Sequence, residues 1–203
     1  YNKEKDFEGA CKTKLVECLE TNGISYDILG DDMINSSIVA DALFAIGGDG
    51  TLLYLAKFAI MNNIPIIGIN AGRLGFLCEF EKSCIEDAVL GLKNSQFIKD
   101  ERTMISLQYN NVTYYALNEI HIQRIYGNNE GNIVAGIDVE IENEFVSKYI
   151  ADGIIVSTPT GSTAYSFSLG APILAPYSNV LLLTPIASHS FNQRPIIYPY
   201  TSN

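Results

Sequence analysis

A short apolar run, Ala42 to Ile46, leads straight into Gly47-Gly48-Asp49-Gly50-Thr51, and a helical pattern from Leu52 to Met61 and a second apolar run from Ile64 to Ile69 follow. Strand, glycine turn, helix and strand in that order make a βαβ unit. Such units build parallel sheets that bind ligands at the C-terminal ends of their strands. Glycines after the first strand permit a tight turn and let backbone N–H groups approach an anion, while the helix N-terminus adds partial positive charge. The segment reads as a phosphate cradle. It is not a Walker A loop, because no Gly-Lys-Ser/Thr follows and the first lysine is Lys57, nor a G-x-G-x-x-G turn, because the third glycine is missing.

Asp49 is the informative residue of the loop. A carboxylate inside an anion-binding turn repels the phosphate it faces, so it needs a reason to be there. It can hold a divalent cation on a nucleotide, or accept the proton of a hydroxyl that attacks a phosphoryl group. The alternative is an N-cap of the following helix, worth about 1 kcal/mol.

Around this unit the chain alternates helix and strand patterns. Phe7 to Leu19 places Phe7, Cys11, Leu15, Cys18 and Leu19 on one helical face, Ser25 to Leu29 reads as a strand, and Ser83-x-x-Glu86 reads as a capping box opening a helix to about Leu92. Beyond residue 101 the texture turns to β. Ile105 to Tyr109 and Val112 to Leu117 flank Asn110-Asn111, a hairpin signal because Asn tolerates positive φ. Strand patterns follow at Ile133 to Ile141, Phe145 to Ile150, Gly153 to Ser157, Val180 to Thr184 and Pro195 to Tyr198. The fold class expected is α/β plus all-β: a Rossmann-like α/β domain over 1–101, then a mostly β domain over 102–203. Both ends read as cut, with a helix where an α/β domain usually opens on a strand, and the second domain is expected to be truncated at its C-terminus.

The chain's 13 basic and 23 acidic residues give a net charge of −10. No basic run exists to release counterions from a nucleic acid or to grip an anionic lipid surface, so neither nucleic acid nor a membrane is expected as partner. With 47% hydrophobic and 18% charged residues the chain can bury a core. The charged start, Tyr-Asn-Lys-Glu-Lys-Asp, is not a signal peptide, which points to the cytoplasm. Cys11, Cys18, Cys78 and Cys84 contain no C-x-x-C pair and read as reduced thiols, so no protein metal site is expected. From Gly153 to Gln193 there is no Asp, Glu, Lys or Arg; its prolines and polar side chains exclude a membrane span, and the stretch suits a ligand cleft, a subunit interface or plain core packing.

Gly47 to Thr51 resembles the GGDGT signature of a kinase superfamily that includes NAD kinases, lipid kinases and phosphofructokinases. Ser157-Thr158-Pro159-Thr160-Gly161-Ser162-Thr163-Ala164-Tyr165-Ser166, preceded by Asp152-Gly153, resembles the block that marks NAD kinases. Asn70-Ala71-Gly72-Arg73-Leu74-Gly75-Phe76-Leu77, Asn118-Glu119, and Pro185 to Ser190 with Arg194-Pro195 resemble further segments of that family in the same order, while Tyr54 and Ile150 stand where many relatives carry basic residues.

The resemblance implies phosphorylation of the adenosine-ribose 2′-hydroxyl of NAD by ATP, giving NADP, with Mg²⁺ or another divalent cation accompanying ATP. It implies Asp49 as general base, Gly47, Gly48, Gly50 and Thr51 as the phosphate loop, and Phe76 near the adenine. Asn118, Glu119, Asp152, Thr163, Ala164, Tyr165 and Ser168 would position NAD. It further implies a homo-oligomer, a tetramer, with pocket walls shared between subunits. A GGDGT kinase acting on a lipid or sugar hydroxyl, and a non-catalytic NAD-binding regulatory subunit, remain open alternatives. A serine hydrolase built on Ser162 and His189 lacks a G-x-S-x-G elbow. His121 reads as a structural residue.

Overall fold

The computed structural model describes residues 1–30, 37–72, 75–125, 134–190 and 192–200. Arg73, Leu74 and Ile133, and the last residues Thr201 to Asn203, lie outside the described residues. The chain forms two compact units, Tyr1–Asp100 and Glu101–Asn203.

The first unit is α/β. Strands β1 (Leu43–Gly47), β2 (Ile66–Asn70) and β3 (Phe80–Glu81) make a parallel sheet in that order, with Leu43 opposite Ile66 and Gly47 opposite Asn70. Period-two alternation then decides which helix covers which face. Ile46 and its partner Ile69 pack with Cys11, Leu15 and Leu19 of α1 (Ala10–Thr21) and with Ile85 and Val89 of α3 (Ile85–Lys93). Ala45 and its partner Gly68 face the other way, toward α2 (Asp49–Asn62), whose Leu52 lies against Gly68. Small residues on that face let the helix come close.

Three local expectations are corrected. α1 begins at Ala10 rather than at Phe7, because the buried carboxylate of Asp6 accepts the backbone N–H groups of Cys11 and Lys12, both at 3.0 Å, and leaves Phe7 91% exposed. Ser25 to Leu29 is not a strand: β1 is an edge of the sheet, its Ile46 carbonyl takes the N–H of Asn2, and a groove of about 1150 Å³ is lined by both β1 and the 24–30 segment. The capping box does not form. A 3₁₀ turn over Lys82–Cys84 precedes α3, so Ser83 is not the cap, and its hydroxyl contacts the Cys84 thiol instead.

The second unit is mostly β. β6 (Glu119–Gln123), β9 (Gly153–Ser157), β10 (Val180–Ile186) and β11 (Ile196–Pro199) form an antiparallel sheet ordered β11-β10-β9-β6. Two hairpins accompany it, β4 (Ile105–Tyr109) with β5 (Val112–Ala116) and β7 (Ala135–Ile141) with β8 (Glu144–Ala151). The first turns at Asn110 and Asn111, at φ 48° and 61°, as the residue pair predicts. Val139 and Tyr149 of the second hairpin pack on Ile154 and Leu183, which form one face of the sheet. The opposite face carries Glu119, His121, Ile155, Ser157 and Thr184, and onto it folds the Ser/Thr-rich block, as a 3₁₀ turn over Thr160–Thr163 and a short helix α4 (Tyr165–Ser168). No helix among the described residues is long and apolar enough to cross a membrane.

Candidate active site

In the first unit Gly47 ends β1, Gly48 is extended, and α2 begins at Asp49, three residues before the apolar pattern. Gly50 and Thr51 therefore lie in its first turn, where the helix end carries positive partial charge. The Gly48 carbonyl accepts the N–H of Thr51 at 2.9 Å, and the Thr51 hydroxyl accepts a hydrogen bond from the Asn2 amide at 3.2 Å.

Asp49 does not cap its helix, whose N-cap is Gly48 without a side-chain bond. Its carboxylate accepts the N–H of Phe76 at 2.8 Å on Oδ2 and the N–H of Leu77 at 3.0 Å on Oδ1. A carboxylate offers about four lone-pair sites, so two amides orient it and leave capacity for a hydroxyl. Gly75 makes this possible: a Cβ there would lie 2.3 Å from Asp49 Oδ1. Gly75 carries no weight of its own in the sequence reading. Its role depends on a contact across 26 positions, which no local pattern records. The Phe76 ring is 86% exposed, and the neighbouring Cys78 thiol is raised by burial first and by the charge of Asp49 second.

In the second unit the 158–161 turn wraps the Asn118-Glu119 pair. Thr158 donates its N–H to the Asn118 carbonyl at 2.8 Å and its hydroxyl to the Leu117 carbonyl at 2.6 Å, and Gly161 donates back to the Thr158 hydroxyl at 3.0 Å. Gly161 sits so close that a Cβ would fall 2.1 Å from the Asn118 oxygen. The hydroxyls that look ligand-directed in sequence are largely satisfied internally. Ser157 bonds Ser166, and Ser162 donates to the Pro159 carbonyl while accepting the Leu174 N–H. Buried hydroxyls require such partners. Ser162 is also fully buried, which removes it as a hydrolase nucleophile.

What the block leaves outward is Thr163, Ala164, Tyr165 and Ser168. The Thr163 hydroxyl donates to Thr160 and that of Ser168 to Tyr165, and the Tyr165 ring meets His121 edge-on at 6.2 Å. Glu119 shares their sheet face; burial pushes its carboxyl above the ordinary value, with His121 opposing, and its Oε2 has no hydrogen-bond partner among the described residues, nor has Oγ1 of Thr184. Asp152 is not brought to this group. It precedes β9, at the opposite end of that strand from Ser157 and Glu119, roughly 16 Å away at about 3.3 Å per residue. There it pairs with Arg124, a residue to which no motif points.

The chain matches the ATP-NAD kinase N-terminal domain over residues 15–96 and the ATP-NAD kinase C-terminal domain over residues 117–203. The NAD kinase of Caldicellulosiruptor saccharolyticus is 33% identical over 196 residues, covering 97% of this chain and 73% of that protein. The chain belongs to the NAD kinase family. Christiangramia forsetii NAD kinase is 40% identical over 163 residues, and there the match takes in 77% of this chain but 54% of the relative, so the chain spans about half the length of such family members. Among solved structures, yeast NADH kinase complexed with NADH matches with a TM-score of 0.72 at 30% identity, over 87% of this chain and 52% of that one. The Archaeoglobus fulgidus NAD kinase in complex with ATP gives 0.72 at 25% identity, over 92% and 72%. Both agree with the α/β-then-β architecture expected from sequence.

Proposed function

We propose that the chain carries the catalytic apparatus of an NAD kinase, transferring the γ-phosphoryl group of ATP to the 2′-hydroxyl of the adenosine ribose of NAD. The observation that carries this reading is the Asp49 carboxylate, oriented by two amides in the first turn of a helix that follows a glycine loop. The ribose hydroxyl gives its proton to Asp49, its oxygen forms a bond to the γ-phosphorus, and the bond from phosphorus to the β–γ bridging oxygen breaks, releasing ADP and NADP. Amides of Gly47 to Thr51 hold nucleotide phosphates. Orientation and charge stabilisation supply most of the acceleration in such transfers.

Asn118, Glu119, Thr163, Ala164, Tyr165, Ser168 and Asp152 are the proposed NAD contacts, and Phe76 is the residue proposed to lie near the adenine. Among the described residues no cluster of three His, Cys, Asp or Glu is assembled to hold a metal, and we assign the divalent cation to the nucleotide. It offsets phosphate charge when bound. We propose a tetramer with pocket walls shared between copies on the strength of the family alone. Sedimentation velocity tests this, and a monomer at micromolar concentration contradicts it. Four cysteines free of disulfides support a cytoplasmic location, which cell fractionation tests.

The activity is tested by incubating the protein with labelled ATP, Mg²⁺ and, separately, NAD, NADH, sphingosine, diacylglycerol and fructose 6-phosphate. Label entering NADP or NADPH supports the reading. Label in a lipid or sugar, or NAD binding by calorimetry with no transfer, overturns it.

A further inference from the structure

Three segments of the second unit converge on the carboxylate of Asp152. Its own backbone is pinned on both sides, with its N–H donated to the Ile186 carbonyl and its carbonyl accepting the N–H of Arg124, each at 2.9 Å. Arg124 follows directly on β6 and turns its side chain back, so that Nε stands 2.8 Å from Oδ1 of Asp152. His189, after β10, donates its own N–H to the Ile150 carbonyl at 2.9 Å and brings Nε2 to 3.9 Å from the same oxygen. The acid is 13% exposed and the guanidinium 21%, while the imidazole is half exposed.

We infer that Arg124 is a positioning residue: it fixes the Asp152 carboxylate in the orientation in which that group contacts NAD, and this inference rests on the NAD-kinase reading of Asp152. A carboxylate at the bend between two strands has freedom about χ1 and χ2, and a ligand contact needs one orientation held in advance. A guanidinium does this better than an ammonium, because it is planar and rigid and its charge is not lost by deprotonation. Its charge also matters. NAD carries an anionic pyrophosphate and the chain is acidic overall, so a largely buried carboxylate without a cation would repel the ligand it is meant to orient. The shared backbone bond ties the two residues in register, so the pair is built into the β6–β9 ladder rather than met by chance on a surface.

The test is a double-mutant cycle on Arg124→Gln and Asp152→Asn, with Arg124→Lys as a charge-conserving third variant, reading kcat, the KM for NAD, the KM for ATP and the melting temperature. Arg124→Gln is expected to raise the KM for NAD about tenfold with kcat and the KM for ATP within about twofold, and to add nothing further once Asp152 is Asn. Arg124→Lys is expected to restore only part of the loss, and it carries the test alone should the Gln variant not fold. A KM for NAD unchanged in Arg124→Lys and Arg124→Gln overturns the inference, as does an equal rise in the Asp152→Asn background, which would mark a merely structural role. If Asp152→Asn itself leaves the KM for NAD unchanged, the fault lies with the NAD contact assigned to Asp152.

Discussion

Asp49 and Gly75 form one working unit although they lie in different motifs. The missing side chain at Gly75 is the space in which the carboxylate reaches its two amides, so Gly75→Ala pushes a methyl group to 2.3 Å from Oδ1 and displaces the proposed base. The expected result is a kcat lowered at least tenfold, with the KM for NAD changed less, since of the proposed NAD contacts only Phe76 adjoins Gly75. Steady-state kinetics decide it, and an unchanged kcat means the orientation of Asp49 is not what matters. Glu119 permits a second prediction at the same scale. Burial raises its carboxyl, so the folded state holds that proton more tightly than the unfolded chain does. Below about pH 4 both states are protonated and the group costs nothing; as the pH rises through the raised folded value the cost becomes complete. Glu119→Gln removes the ionisation, so the ligand-free variant is expected to melt above the wild type at pH 7, with the difference fading toward pH 4. A variant that melts lower at pH 7 contradicts this. At this scale Asp49 was legible from sequence because its charge is odd among glycines. Gly75 and Arg124 were not, since each matters only through a partner that the fold supplies.

At the scale of elements, the 158–161 turn acts as a clasp on the end of β6. Thr158 donates to the Leu117 and Asn118 carbonyls and accepts the N–H of Gly161, with no room for a side chain at Gly161. Gly161→Ala is therefore expected to cost about 1–3 kcal/mol by overpacking and to weaken NAD binding at least tenfold through Asn118 and Glu119. Chemical denaturation and calorimetry check the two effects, and a variant as stable as wild type refutes the clasp. The same elements show what periodicity reads and what it misses. β1, α2, β2 and the Asn110-Asn111 hairpin follow from apolar spacing and turn chemistry. Ser25 to Leu29 has the pattern of a strand but pairs with no strand among the described residues, and pairing is what makes a strand. α1 starts where a carboxylate three residues upstream of its N-cap satisfies its first amides, a long-range cap that leaves no trace in the face pattern.

At the scale of the whole molecule, the α/β-then-β order was readable because hydrophobic period and turn residues change together near residue 101, where the two compact units meet in sequence. The hydroxyl-rich block illustrates the opposite case. Its uncharged composition suits a ligand cleft, a subunit interface or core packing alike, and Ser157, Thr158, Ser162 and Ser166 are buried and bonded within the protein, which leaves the outward residues of the block to meet a ligand. The acidic charge of −10 bears on the proposed reaction: two anionic nucleotides on a chain of this sign call for amides, helix ends and a cation on the donor to oppose repulsion, and the proposed proton transfer is the reason for a carboxylate at Asp49. The most direct measurement compares NADP formation by wild type and Asp49→Asn under ATP and Mg²⁺, with NAD affinity followed by calorimetry on both proteins. Wild type is expected to form NADP, and the variant to lose about 10²-fold or more in kcat while its NAD affinity stays within about threefold. Equal turnover by the two proteins would contradict the assignment of Asp49 as the base.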